Sequence, residues 1–317
     1  MIIKKPKILY IKDGLRTTEH LNIRGGDYLW SKIEAFDEAS GEPFFEPIHN
    51  RTVIAGAGLA LQKMFSLNRS CLNNTPTYDS IIGLDDAAAY TDYPSVNIVN
   101  NEKVVIGSIP DETQRIIRGF CIGTGGSGTD PATPFHENYA TWIAPDNLVP
   151  FRYVLQSADN IDEDIYKGRK TITLSNNQIR VAYYFKEFSN TPELVQNYIS
   201  TVQSYDDLIT PSNVYASSRG ADKAQSFVEL HLKISAADCR EYFITHSGLE
   251  QARINQLSLV AAWTKTITRP KYDSSTGMNQ NHTYEVFQQI RPFSLCNFPQ
   301  IILDNDKVVS IIYTLYC

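Results

Sequence analysis

At 317 residues, with 42% hydrophobic and 20% charged side chains, the chain is long enough to bury a core without disulfides or metals, and its composition excludes the disordered class. Its 29 basic and 35 acidic residues leave a net charge of −6, which argues against a nucleic-acid binder, because displacing phosphate counterions calls for a basic stripe. No apolar run is long enough to span a membrane as a helix, and Met1-Ile2-Ile3-Lys4-Lys5 lacks the apolar segment of a secretion signal, so no membrane partner and synthesis in a cytoplasm are expected.

In chain order, Lys4, Lys5 and Lys7 form the densest basic stretch, read as a solvated terminus. Thr52 is placed to cap a helix over 53–65, although Gly56 and Gly58 weaken it. Residues 68–110 read as a long loop, punctuated by Asn73-Asn74-Thr75-Pro76, Asp85-Asp86, Tyr93-Pro94 and Asn100-Asn101. A strand follows over 115–122, then a second long loop over 123–150. The segments 170–174 and 178–188, joined by Ser175-Asn176-Asn177, predict a hairpin, since asparagine tolerates the positive φ of a tight turn. Pro192 followed by 193–202 predicts a helix with proline in its first turn.

The clearest strand is 227–234, where Val228, Leu230, Leu232 and Ile234 alternate with Glu229, His231 and Lys233. A short helix is expected from Ser235 and Asp238 to Phe243, ending near Gly248. Further strands are expected over 254–267 and 284–295, and over 307–316 after the turn residues Asp304-Asn305-Asp306. Strands and helices come in separate runs without βαβ alternation. The expectation is an α+β fold, predominantly antiparallel β with a few short helices and long loop excursions. It is read as a single large β-rich domain over 1–317, with 190–225 as the place where it would divide.

The sharpest local motif is Gly123-Thr124-Gly125-Gly126-Ser127-Gly128, a literal GxGxxG after a strand. In a dinucleotide site such glycines let the backbone approach a pyrophosphate, and a helix N-terminus then supplies positive potential. Here Thr129-Asp130-Pro131-Ala132-Thr133-Pro134 follows, and two prolines at that spacing preclude the required helix. A nucleotide-dependent enzyme built on 123–128 is therefore the alternative reading, and a wide turn is the first. Gly123, Gly125, Gly126, Gly128, Pro131 and Pro134 are taken instead as a candidate interface loop.

The remaining chemistry is sparse. His20, His49, His136, His231, His246 and His282 show no HxH or HxxxH spacing, and neither His136-Glu137 nor His246 with Cys239 supplies the three or four convergent ligands of a zinc site. The acids Asp159, Asp162, Glu163, Asp164, Asp304 and Asp306 lack the spacing of a calcium loop and read as solvated turns. Cys71, Cys121, Cys239, Cys296 and Cys317 are odd in number with no CxxC pair, which predicts free thiols in a reducing compartment. The N-x-S/T triplets at Asn50, Asn68, Asn73 and Asn281 read as chance matches. No nucleophile elbow is present, so neither an enzyme nor a cofactor is expected. Tyrosine and phenylalanine are abundant and suit contact surfaces because they bury much area at little rotamer cost; the strand at 183–188, apolar on both faces, is read first as interior and second as covered by a partner.

Several segments resemble virion structural proteins of tailed bacteriophages, especially contractile-tailed ones: Gly119-Phe120-Cys121-Ile122-Gly123-Thr124-Gly125-Gly126, Trp142-Ile143, Leu148-Val149-Pro150-Phe151-Arg152-Tyr153, Tyr183-Tyr184-Phe185-Lys186-Glu187-Phe188 and the closing hydrophobic strand. The resemblance implies a non-catalytic component located in the virion, at the head–tail neck or connector, with baseplate or tail as the alternative. Its partners would be other virion proteins and copies of itself in a symmetric ring, which long loops could reach.

Overall fold

The computed structural model describes residues 28–53, 78, 82–84, 95–99, 102–106, 116–135, 145, 147–159, 165–192, 194–200, 221–235, 237–248, 251–273, 275–292, 294–303 and 307–316. Antiparallel sheet dominates them, with one fully described α-helix and a single 3₁₀ turn at Gln156–Ala158. The expected class holds in its coarse form: the protein is β-dominated with few helices. The helix expected over 53–65 lies outside the described residues after Val53, as do Cys71, Cys317, His20, His136, Asp162, Glu163, Asp164, Asp304 and Asp306.

One sheet has five strands: β1 (Tyr28–Asp37), β2 (Ile48–Val53), β10 (Leu194–Ser200), β11 (Ala221–Ile234) and β15 (Val309–Tyr316). Their spatial order is β10-β11-β15-β1-β2, so strands from the two ends of the described chain lie side by side. The larger sheet runs through β13 (Met278–Pro292), β12 (Ala252–Asp273), β5 (Ile116–Gly123), β9 (Ile179–Glu187) and β7 (Arg152–Leu155). Three strands branch from that path: β14 (Cys296–Leu303) on β12, β6 (Leu148–Val149) on β5, and β8 (Tyr166–Thr173) on β9. A separate hairpin pairs β3 (Ser95–Val99) with β4 (Glu102–Ile106).

Sequence alternation explains why the two sheets meet. Val228, Leu230, Leu232 and Ile234 of β11 are buried, as are Val309, Ile311, Tyr313 and Leu315 of β15. They share one hydrophobic cluster with Ile33 and Ala35 of β1 and with Ile122, Leu257, Leu259, Ala261, Phe298 and Ile301 of the larger sheet. Period-2 patterning thus builds a two-layer sandwich, each sheet offering one apolar face. β12 is buried on its other face too, where Val260 and Ala262 pack with Tyr78, Cys121, Phe185 and Ile290. This explains why its sequence reads as a nearly continuous apolar run.

Two expectations are corrected. Within the helix expected over 193–202, the described residues Leu194–Ser200 form a strand instead, paired with β11 from Leu194↔Val228 onward. Val195, Tyr198 and Ile199 suit a pleated surface, and an available partner edge outweighs the local helix signal of Pro192. The stretch 68–110 is not all loop either, since β3 and β4 lie within it. The expected short helix is present as α1 (Arg240–Ser247), starting after Cys239 at φ 65° and ending at Gly248, also at φ 65°. A C-terminal glycine in this left-handed conformation is the usual helix stop.

Candidate functional site

The glycine loop is a turn tied to β12 by side-chain amides. Gly125 donates its N–H to Gln256 Oε1 at 3.1 Å, and Gly126 donates to Asn255 Oδ1 at 2.8 Å. Asn255 Nδ2 in turn donates to Ser127 Oγ at 2.9 Å. A regular strand sends successive side chains to opposite faces. Asn255 and Gln256 nonetheless both reach this loop, because the β12–β14 register shifts between Ile254 and Gln256. Gln256 Nε2 then bonds Asn297 Oδ1 at 2.9 Å, and Asn297 Nδ2 bonds the Phe135 carbonyl at 3.1 Å. All three amides are at most 6% exposed, so the network satisfies buried backbone that would otherwise lose its solvation.

The rest of the loop folds back on itself. Ser127 and Pro134 form an isolated antiparallel bridge, and Phe135 N–H donates to the Gly126 carbonyl at 2.7 Å. Asp130 accepts the Ala132 N–H at 2.9 Å and the Thr133 hydroxyl at 2.6 Å, and these bonds hold its carboxyl below the usual range. The Pro131 carbonyl accepts from Gln300 N–H at 2.9 Å. A Cβ on Gly126 would stand 2.2 Å from the Asn255 carbonyl oxygen, and one on Gly128 would stand 3.3 Å from the Phe135 ring.

This geometry bears on both readings of 123–134. Gly125 and Gly126 already spend their N–H groups on side-chain amides, and the chain leaves through a turn at Pro131 and Ala132 rather than a helix. A phosphate cradle needs free N–H groups at a helix start, so the loop does not match one. Of the six candidate interface residues, Gly123 ends β5 and Gly125 and Gly126 are anchored inward. Gly128 and Pro131 are exposed and Pro134 is half-buried, and Phe135, next to Pro134 and 54% exposed, is the large apolar side chain presented outward there.

The other outward feature was only half legible in sequence. β12 runs on to Asp273, past the expected 267, and β13 starts at Met278, before the expected 284, and ends at Pro292; they meet across a turn in which Gly277, at φ 68°, donates its N–H to the Asp273 carbonyl at 2.8 Å. The Asp273 carboxylate accepts from Ser275 N–H at 2.8 Å and from Gln280 Nε2 at 3.0 Å. Among the described residues, no third strand pairs with β12 after Ala262. From there to Asp273 the ribbon rises roughly 35 Å. Ile267, Tyr284 and Val286 form a small buried cluster on it, while Thr266, Thr268, Pro270 and Thr283 are exposed and Met278 at the tip is 69% exposed.

Charge fastens the base of this ribbon to the body. Lys167 Nζ donates to the Glu285 carbonyl at 2.5 Å and lies 3.7 Å from Glu187. Arg118 pairs with the Glu285 carboxylate at 3.0 Å. Arg118 reaches it from a bulge, since the β5–β12 register shifts between Val260 and Ala261. Burial pushes the Glu187 carboxyl up despite Lys167. A shallow cleft between β8 and β13 has Tyr166, Lys167, Arg169, Tyr183 and Glu285 among its walls.

The sequence-predicted acids and thiols take structural positions where they are described. Asp159 accepts from Arg169 Nη2 at 3.1 Å and from the Tyr183 hydroxyl at 2.9 Å, which makes it an anchor rather than a solvated acid. Cys121, Cys239 and Cys296 are buried, and none of them forms a disulfide among the described residues. His246 stacks on Tyr242 with ring centroids 4.2 Å apart. Among the described residues, no group of three or more His, Cys, Asp and Glu side chains is placed to share a metal ion. No protein-family model, curated protein or solved structure matches the chain.

Proposed function

We propose that this chain is a structural and assembly component of a tailed-phage virion, placed near the head–tail neck and acting through contacts with its own copies and with other virion proteins. The phage attribution rests on the sequence resemblance; the assembly role is carried by the β12–β13 ribbon. A two-stranded ribbon is marginal by itself in water, and this one is held by a turn wired through Asp273 and by ion pairs at its base. Such an arm, with polar sides and an apolar Met278 at its tip, suits reaching a neighbour in a ring. The exposed Phe135 beside the glycine loop gives a second contact point.

The test is immunogold labelling of particles with antibody against this chain. Gold at the head–tail junction is the expected result. Gold at the tail tip would move the protein to the baseplate, and particles free of gold alongside abundant free protein would overturn the virion reading.

A further inference from the structure

Beneath α1, on the sandwich side of β9, lies a buried ionic contact that no part of the assembly reading uses. Lys186 Nζ is 2.6 Å from Asp238 Oδ2, with the lysine side chain 9% exposed and the aspartate 0%. The ammonium lies 5.2 Å from the Tyr166 ring centroid and 5.9 Å from that of Phe151. The aspartate is pinned from three directions. Tyr166 donates its hydroxyl to Oδ1 at 2.8 Å, and Ser235 donates its N–H to Oδ2 at 2.8 Å. Its own N–H bonds the Ser235 carbonyl at 2.9 Å, while the next residue, Cys239, is held at φ 65° with its N–H on the Phe151 carbonyl at 2.7 Å.

Physical chemistry makes this an unusual place for a permanent ion pair. Withdrawing two charges from water costs several kcal/mol per ion, and mutual attraction repays this only in part. A reaction between the two side chains starts from the neutral amine and neutral acid formed when one proton passes from ammonium to carboxylate within the pair. The amine is then a nucleophile held 2.6 Å from Oδ2, the oxygen bonded to the electrophilic Cγ, with little translational freedom left to lose. The Tyr166 O–H points at the oxygen on which charge develops during attack, as an oxyanion donor does.

We propose that Lys186 and Asp238 condense spontaneously into an intramolecular isopeptide bond that staples β9 to the turn preceding α1. The Lys186 nitrogen lone pair forms a bond to Asp238 Cγ, and the Cγ–Oδ2 bond breaks. Oδ2 leaves as water, carrying its own proton and one from nitrogen. Oδ1 becomes the amide carbonyl and keeps the Tyr166 hydrogen bond. The step is a dehydration with no change of oxidation state and needs no co-reactant.

Intact-mass measurement of the purified full chain tests this directly, since the cross-linked protein is lighter by one water than its sequence. Digestion should yield a branched peptide carrying Lys186 and Asp238. Lys186→Arg and Asp238→Ala should each restore the full mass, and Tyr166→Phe, which leaves both reacting groups in place, should lose the water more slowly. Wild-type protein at full sequence mass, with Lys186 recovered in a linear peptide, would overturn the proposal. Water loss without the branched peptide would overturn it equally, since cyclisation of another aspartate gives the same mass.

Discussion

Gly126 leaves no room for a side chain against β12. Its N–H is taken by Asn255 Oδ1, and the Asn255 carbonyl occupies the space where a Cβ would be. Gly126→Ala therefore has to push β12 and the loop apart, at a cost of about 1–3 kcal/mol or more, which a chemical-denaturation midpoint would register. The same change at a phosphate-binding glycine would mainly lower ligand affinity. The cysteines make a second prediction at this scale. Cys121 donates its S–H to the Tyr78 hydroxyl at 3.4 Å, which in turn donates to Ser258 Oγ at 3.3 Å, and burial pushes the thiol up to about 12. Thiolate is the reactive species, so brief alkylation of the native protein followed by peptide mapping should leave Cys121, Cys239 and Cys296 unmodified, and unfolding should expose all three.

At the scale of elements, legibility followed how much of a segment's fate is local. The alternation of β11, the 170–188 hairpin and α1 ending at Gly248 were readable because side-chain period, turn residues and helix stop all lie within a few positions of one another. β10 carries a misleading local signal, because Pro192 offers a helix start while the pairing with β11 is decided elsewhere. β1 gives little local signal, because Ser31, Ile33 and Ala35 make a weak apolar face that becomes a strand only between β2 and β15. The amides Asn255 and Gln256, consecutive within an apolar run, were the one signal that could have exposed the glycine-loop anchor. Their partners lie far away in the chain, and sequence spacing cannot supply that. The turn after the glycine loop also carries a pH prediction. Its hydrogen bonds lower the Asp130 carboxyl in the folded state, so the stability it lends is fully present above the ordinary aspartate range and is lost as pH falls through the lowered folded value. A carboxyl NMR titration should place Asp130 below an unperturbed aspartate, and Thr133→Val should raise it towards the ordinary value.

For the whole molecule, the question is which parts hold the fold and which parts reach outward. The core cluster draws on β1, β5, β11, β12, β14 and β15. Leu230, fully buried in β11 within that cluster, should cost about 2–5 kcal/mol as Leu230→Ala. The distal ribbon contributes nothing to that cluster, and β12 has already left β5 at Ala262. A chain in which residues 268–283 are replaced by Asn-Gly keeps the Ile267↔Tyr284 pair and the small cluster around it, with a two-residue turn suited to a hairpin. Its melting temperature should stay within a few degrees of wild type, because the sandwich loses no apolar burial. Under the proposed assembly role its self-association should not survive: sedimentation should show species smaller than wild type forms at the same concentration, and a phage carrying the truncation should stall with incomplete particles. Unchanged sedimentation and normal particles would remove the ribbon from the assembly argument and leave the Phe135 surface to carry it. A truncated chain that also failed to fold would show the ribbon to be part of the body, and single exposed-side changes such as Met278→Asp, which touch no core residue, would then decide between the two.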